Sequence, residues 1–239
     1  MDKILTGRSA LVTGGTRGIG RAVAVRLAAQ GASVVVTGTH SDGEPPQGCS
    51  YRAVDFTDRS ATEVFAKEAA QWGTDILINN AGINRIGPFD EIDADVFDRI
   101  QEVNVRAPFL LCRAVIPSMM QKRWGRIVNV SSIWGKISVK YRGSYSTSKF
   151  ALDGMTAALA AEVAEFGILA NCVAPGFIDT GLTRDVLGEK GIAEIISKIP
   201  IGRLGTPEEI AVFIAWLAGP ENTYISGQNI AIDGGFTRV

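Results

Sequence analysis

The sequence predicts a doubly wound α/β fold, one parallel sheet of about seven strands with helices on both faces. Short β-branched runs alternate with longer stretches whose apolar residues recur at i, i+3 and i+4, the spacing of a helix that buries one face. Continuous apolar runs such as Val34-Val35-Val36 and Ile127-Val128 suit strands covered on both sides, as in parallel sheets. Strand and helix alternation then requires right-handed crossovers. A chain of 239 residues, 46% hydrophobic and 21% charged, can bury the core such a sheet needs and is not a disordered polypeptide.

The elements follow in chain order. Ser9 to Thr13 is the first strand and Gly20 to Gln30 the first helix. Ser33 to Thr37 is the second strand, and the Pro- and Gly-rich segment from Gly38 to Gly48 after it is a surface loop rather than a domain boundary. Ser50 to Val54 is the third strand, Arg59 to Trp72 the second helix and Asp75 to Asn79 the fourth strand. Asp95 to Lys122 is periodic throughout and predicts one long helix, followed by a fifth strand over Arg126 to Ser131. Tyr145 to Phe166 is helical again, and Leu169 to Ala174 is the sixth strand. Thr206-Pro207-Glu208-Glu209 combines a capping Thr, Pro at the first helical position and Glu at the third, so a helix starts there and runs over Pro207 to Gly219. Asn229 to Ile232 closes the sheet. No linker, low-complexity tract or repeat interrupts the pattern, so residues 1–239 are expected to form one domain.

Several function classes are excluded by composition. With 24 Lys and Arg against 25 Asp and Glu, the chain lacks the basic excess that a nucleic-acid surface requires. Cys49, Cys112 and Cys172 are odd in number and far apart, so they are expected to be buried free thiols in a reducing cytosol, not a disulfide or metal framework. The single His40 leaves no pair of imidazoles, and no metal site is expected. The first residues carry no signal-type apolar region, and no run of about 18 apolar residues occurs, so a cytoplasmic protein without membrane attachment is expected.

The first strand runs into Gly14-Gly15-Thr16-Arg17-Gly18-Ile19-Gly20, and a helical pattern follows at once. Glycines here let the backbone turn tightly and approach a pyrophosphate, whose charge meets the free N–H groups at the start of the helix. In this position the turn points to a dinucleotide, and the sheet is of the Rossmann type. An NAD-specific site carries an acid about 20 residues further on, to hold the ribose 2′-OH. That position is Gly38, whereas Arg17 and the Thr39 hydroxyl could bind a 2′-phosphate. NADP(H) is therefore preferred, with NAD(H) possible if Arg17 is only a solvated turn residue and Asp42 folds back as the missing acid.

Tyr145 and Lys149 stand one helical turn apart on one face. A tyrosine of ordinary pKa, about 10, exchanges protons poorly near neutrality, and a neighbouring ammonium stabilises its phenolate. Ser132, at the end of the fifth strand, can hydrogen-bond a substrate oxygen as charge develops on it. With the glycine turn, Asn79-Asn80-Ala81-Gly82, Ser132, Tyr145-x-x-x-Lys149 and Pro175-Gly176, the chain closely resembles the short-chain dehydrogenase/reductase family from Gly7 to Gly235.

The resemblance implies reversible NAD(P)(H)-dependent reduction of a carbonyl. Tyr145 is then the general acid/base, Lys149 lowers its pKa and holds the ribose, and Ser132 orients the carbonyl. Asn104 is implied to hold a water that links Lys149 to solvent. The resemblance also implies that Asp55 and Phe56 hold the adenine, that Asn80, Ala81 and Gly82 border the cofactor, and that Ile178 and Thr180, after Pro175-Gly176, contact the nicotinamide carboxamide. A basic residue at Arg17 implies NADP(H).

Within the family the chain looks most like 3-oxoacyl-(acyl-carrier-protein) reductases, which implies a small-molecule carbonyl or alcohol substrate, carrier-bound in those enzymes. Arg123 fits one carrier-docking position, but the second is Phe166. Between Ser132 and Tyr145, the residues Trp134, Lys136, Lys140, Tyr141 and Arg142 put three cations and two aromatics over the expected pocket, which suits an anionic or sugar-like substrate unless the loop is solvated or an oligomer contact. Gly181 to Lys198 occupies the place of the family's mobile lid. A homodimer or homotetramer is also implied. Two readings outside catalysis stay open: a nucleotide-binding redox sensor and a scaffold subunit.

Overall fold

A computed structural model describes residues 3–239. Seven strands, β1 (Ser9–Val12), β2 (Ser33–Gly38), β3 (Cys49–Ala53), β4 (Ile76–Asn79), β5 (Gly125–Val130), β6 (Ile168–Pro175) and β7 (Asn229–Ile232), form one sheet in the order β3-β2-β1-β4-β5-β6-β7. Every pairing is parallel. The strand order reverses between β1 and β4, which opens a crevice at their carboxyl ends where such sheets bind ligands.

Alternation along the strands divides the core between two faces. Val12, Ile76, Ile78, Val128 and Val173 point to one side and pack with Val23 and Leu27 of α1 (Gly18–Ala29) and Ile210 and Ile214 of α7 (Pro207–Leu217). Leu11, Leu77, Ile127 and Ala170 point to the other. They meet Phe65 of α2 (Arg59–Ala69), Leu111, Val115 and Met119 of α4 (Ala107–Lys122) and Val163 of α5 (Gly143–Val163). Thr206 caps α7 through the reciprocal contact with Glu209 that its sequence predicts.

The helix expected over Asp95 to Lys122 is interrupted. It consists of α3 (Ala94–Gln101), a π-helical turn over Glu102–Arg106, and α4. Pro108 has no N–H to donate to the Asn104 carbonyl, so a regular α-helix would lose a bond here, and a wider turn replaces it. The segment from Gly181 is also helical: α6 (Gly181–Ile196) breaks at Gly188, whose φ of 61° and ψ of 175° lie outside helical values. Thr13 leaves the first strand because its hydroxyl is drawn onto the backbone N–H groups of Asn80 and Ala81, 2.9 Å from each.

Candidate active site

The glycine turn is held from two sides. Gly14 and Gly18 adopt φ of 63° and 53°, the left-handed region that a Cβ disfavours, and the turn reverses without strain. The Gly14 N–H donates to Thr37 Oγ1 of β2 at 3.1 Å, and Asn80 Nδ2, at the exit of β4, donates to the carbonyls of Thr13 and Gly14 at 2.9 and 3.0 Å. The clamp is close: a Cβ at Gly20 would strike Gly14 O and Asn80 Nδ2. Gly15, Thr16, Arg17 and Ile19 complete the turn, and Arg17 precedes α1 with extended backbone and a side chain that takes no part in capping. The first turn of α1 carries no acid, so its free N–H groups face the crevice uncompensated.

The expected acid position at Gly38 is filled by another side chain. A Cβ there would lie 2.8 Å from the Tyr51 hydroxyl, which donates to the His40 carbonyl. Burial raises the Tyr51 phenol above its ordinary pKa, and the nearby Asp42 charge adds to the rise. Asp42 is exposed and acts on Tyr51, while Thr39 is exposed beside it. At β3, Asp55 accepts from the Thr57 N–H at 2.9 Å and the Thr57 hydroxyl at 2.8 Å, and Asp58, not Asp55, caps α2. The Phe56 ring is buried edge-on against Phe65, leaving its backbone as the part available to a ligand.

The motif residues Asn104, Ser132, Tyr145 and Lys149 are brought together at the carboxyl edge of β4 and β5. Asn104 Oδ1 accepts from the Ile83 N–H at 2.9 Å; Nδ2 donates to the Ile83 carbonyl at 2.9 Å and to Ser148 Oγ of α5 at 3.0 Å. The π-helical turn thus ties the exit of β4 to the helix that carries Tyr145 and Lys149. A Cβ on Gly82 would lie 3.4 Å from Asn104 Oδ1 and 3.6 Å from Lys149 Nζ, so Gly82 leaves space directly beside both. Beneath, Asn79 Nδ2 donates to Asn129 Oδ1 and Asn129 Nδ2 to Thr156 Oγ1, each at 2.8 Å, a buried chain that links β4, β5 and α5.

Lys149 is buried, and its Nζ donates to the Val130 carbonyl at 2.8 Å. Burial pushes its ammonium down to about 8. Burial likewise raises the Tyr145 phenol above its usual range, and the Ser132 hydroxyl and the Arg142 guanidinium pull it back in part. Lys149 Nζ stands 5.5 Å from the centre of the Tyr145 ring. The one-turn spacing predicts that Lys149 lowers the phenol; in the structure the groups that act in that direction are Ser132 and Arg142, which stands just before α5, and burial outweighs them. Ser132 receives the Trp134 N–H at 3.2 Å.

Opposite stands the segment after β6. Pro175 ends that strand, the Gly176 N–H donates to the Ile232 carbonyl at 2.9 Å, and Ile178 is buried. Thr180 caps α6, and its Cγ2 would lie 3.6 Å from a Cβ on Gly18, so it faces the glycine turn across the crevice.

The three cations of the 134–142 loop part company. Lys136 Nζ donates to the Asn229 carbonyl at 2.7 Å, Lys140 lies over Tyr141 at 5.5 Å, and Arg142 lies over Trp134 at 5.7 Å, beside Tyr145. Trp134, Phe177 and Phe236 pack edge to face as one aromatic wall. Arg123 is exposed, and its Nη2 donates to the Glu165 carbonyl at 2.7 Å. Cys112 and Cys172 are buried and their thiols pushed up to about 12, which makes both inert, while Cys49 is half-buried.

A glycine turn at the first helix together with a Ser-Tyr-Lys group at the same sheet edge defines a nucleotide-dependent oxidoreductase. The family described as enoyl-(acyl carrier protein) reductase matches residues 14–237. The chain is 40% identical over 241 residues to the 3-oxoacyl-[acyl-carrier-protein] reductase of Escherichia coli, with 98% of each chain covered. A provisionally assigned NAD(P)-dependent gluconate 5-dehydrogenase from Beutenbergia cavernae, with NADP at low occupancy, superposes with a TM-score of 0.91 at 32% identity over 100% of both chains. A provisionally assigned 2-deoxy-D-gluconate 3-dehydrogenase from Agrobacterium tumefaciens, with NADP bound, gives 0.90 at 32% identity over 99% of each. The chain belongs to the short-chain dehydrogenase/reductase family.

Proposed function

We propose that the protein is an NADP(H)-preferring reductase that interconverts a small-molecule carbonyl and the corresponding alcohol. The observation that carries this is the meeting of Ser132, Tyr145 and Lys149 beside the space at Gly82, on the same sheet edge as the glycine turn. The glycine turn clamped at the helix start fits a dinucleotide: its free N–H groups would hold the pyrophosphate, Asp55 and the Phe56 backbone the adenine, and Arg17 and Thr39 the 2′-phosphate. Ile178 and Thr180 would border the nicotinamide end. Bound there, the cofactor supplies or accepts the hydride.

The chain's own groups do the rest. The Ser132 hydroxyl donates to the carbonyl oxygen and holds it beside Tyr145. The Tyr145 phenol, which burial keeps protonated, gives its proton to that oxygen as negative charge develops. Lys149 stabilises the phenolate left behind, and Asn104 keeps the β4 exit and α5 at the spacing that this transfer needs.

A free keto or hydroxy substrate, sugar-like or anionic, is favoured over a carrier-bound one. One nitrogen of the exposed Arg123 guanidinium already donates to a backbone carbonyl, and Phe166 stands at the second docking position. The similarity to sugar-acid dehydrogenases agrees with this. One sheet spanning the chain supports a single domain. No helix among the described residues is long and apolar enough to cross a membrane, which agrees with a cytoplasmic site of action. The family supports a homodimer or homotetramer.

The test is NADPH and NADH oxidation, followed at 340 nm, against oxoacyl thioesters, keto-sugars, oxo acids and simple ketones. Turnover of at least one carbonyl class with NADPH favoured is expected. Binding of NADPH without turnover of any carbonyl would leave a redox sensor, and no binding of either cofactor would leave a scaffold.

A further inference from the structure

The 134–142 loop leaves one cation at the reacting centre. Arg142 is half-buried, lies over the Trp134 ring at 5.7 Å from its centre and is close enough to Tyr145 for its charge to act on the phenol. Among the described residues it has no carboxylate partner and its guanidinium makes no hydrogen bond, and it is the arginine whose charge acts on the Tyr145 phenol. Its position costs energy twice over. Burial works against the guanidinium charge, and Arg142 precedes α5, whose positive end carries no acid in its first turn to compensate. A half-buried cation beside the reacting phenol, with no acid or carbonyl of the described residues on it, offers an anionic ligand a charge-assisted contact. The aromatic wall of Trp134, Phe177 and Phe236 offers that ligand an apolar flank without competing acceptors.

We propose that Arg142 binds a carboxylate on the substrate, so that the protein acts on oxo acids and the matching hydroxy acids in which a free carboxylate lies a few atoms from the reacting carbon. This rests on the carbonyl-reductase reading above. The planar guanidinium can take both carboxylate oxygens at once, with the Trp134 ring centre 5.7 Å away on its other side. Binding also restores charge balance: the carboxylate neutralises the cation beside Tyr145 before the proton moves. Lys136 cannot substitute, because its ammonium is held on the Asn229 carbonyl, and Lys140 is turned towards Tyr141.

The experiment compares acids with their neutral esters. Acetoacetate, 4-oxopentanoate and 5-oxohexanoate, each beside its methyl ester, are reduced with saturating NADPH by the wild type, Arg142→Leu and Arg142→Lys. The quantity read is the ratio of kcat/KM for acid over ester within each pair. The ester of each pair leaves the Arg142 charge unneutralised, so its turnover across the variants reports any effect of that charge on the Tyr145 phenol separately. For at least one pair the wild-type ratio should exceed roughly tenfold. It should fall to about one in Arg142→Leu and keep an intermediate value in Arg142→Lys, as expected when one charge-assisted contact is removed. A wild-type ratio near one for every pair, an unchanged ratio in Arg142→Leu, or turnover confined to uncharged ketones would overturn the proposal and leave the reductase reading standing. Failure to reduce any carbonyl with NADPH would instead sink that underlying reading.

Discussion

Gly20→Ala tests the cofactor turn through a single methyl. Built on the backbone, that methyl collides with Gly14 O and Asn80 Nδ2, so the clamp between β4 and the turn must open. Asn80 then loses its bonds to the Thr13 and Gly14 carbonyls, now 2.9 and 3.0 Å long. Two neutral hydrogen bonds are worth about 1–3 kcal/mol together, and overpacking costs about 1–3 kcal/mol more. Alanine returns about 1 kcal/mol through its better helix propensity. The balance is a loss of about 1–5 kcal/mol, measured as a fall in the urea midpoint at constant slope. Displacement of the turn N–H groups should also weaken NADPH binding by more than about tenfold, the equivalent of about 1.4 kcal/mol, in a fluorescence titration. Gly154→Ala is the control, because a Cβ at Gly154 meets nothing within 4 Å; it should be neutral or slightly stabilising. A Gly20→Ala protein with wild-type urea midpoint and NADPH affinity would refute the clamp.

Three further outcomes follow from other parts of the molecule. Asn129→Leu removes the fully buried link between Asn79 and Thr156, and should cost about 2–4 kcal/mol in urea unfolding because it strands buried polar groups. Arg17→Ala should raise the KM for NADPH roughly 10–100-fold while that for NADH changes by less than about threefold, because only a 2′-phosphate meets the guanidinium. Lys149 titrates near 8 when folded and at its ordinary 10.5 when unfolded, so between those values the unfolded chain holds the extra proton. The stability of the cofactor-free wild type relative to Lys149→Met should therefore rise with pH across that window, by at most about 1.4 kcal/mol per unit, and a flat difference would contradict the assignment.

Much of this arrangement was legible in the sequence because its signals are local. Strand periodicity at Val34-Val35-Val36, the capping pattern at Thr206 and the turn from Gly14 to Gly20 each declare themselves within a few residues. The four motif residues were also accessible, since Tyr145 and Lys149 share a helical face and Ser132 ends a strand. What the sequence concealed depends on contacts between distant segments. The π-helical turn at Asn104 leaves apolar spacing nearly unchanged, and Pro108 was the one available sign of it. The occupation of the Gly38 position by Tyr51 required the third strand to pair beside the second. Arg142 was visible only as one of three loop cations, and its selection for the site came from Lys136 finding the Asn229 carbonyl. The bond from Arg123, which the resemblance puts at a carrier-docking position, to the Glu165 carbonyl likewise joins segments distant in sequence.

The central claim is that the Tyr145 phenol delivers the proton that completes carbonyl reduction. Its most direct test is Tyr145→Phe, with NADPH affinity and kcat measured on the same preparation against the best carbonyl substrate. NADPH affinity should stay within about twofold of wild type and kcat should fall roughly 10²–10⁴-fold, the scale of a lost general acid. Unchanged affinity with kcat within about tenfold of wild type would contradict it.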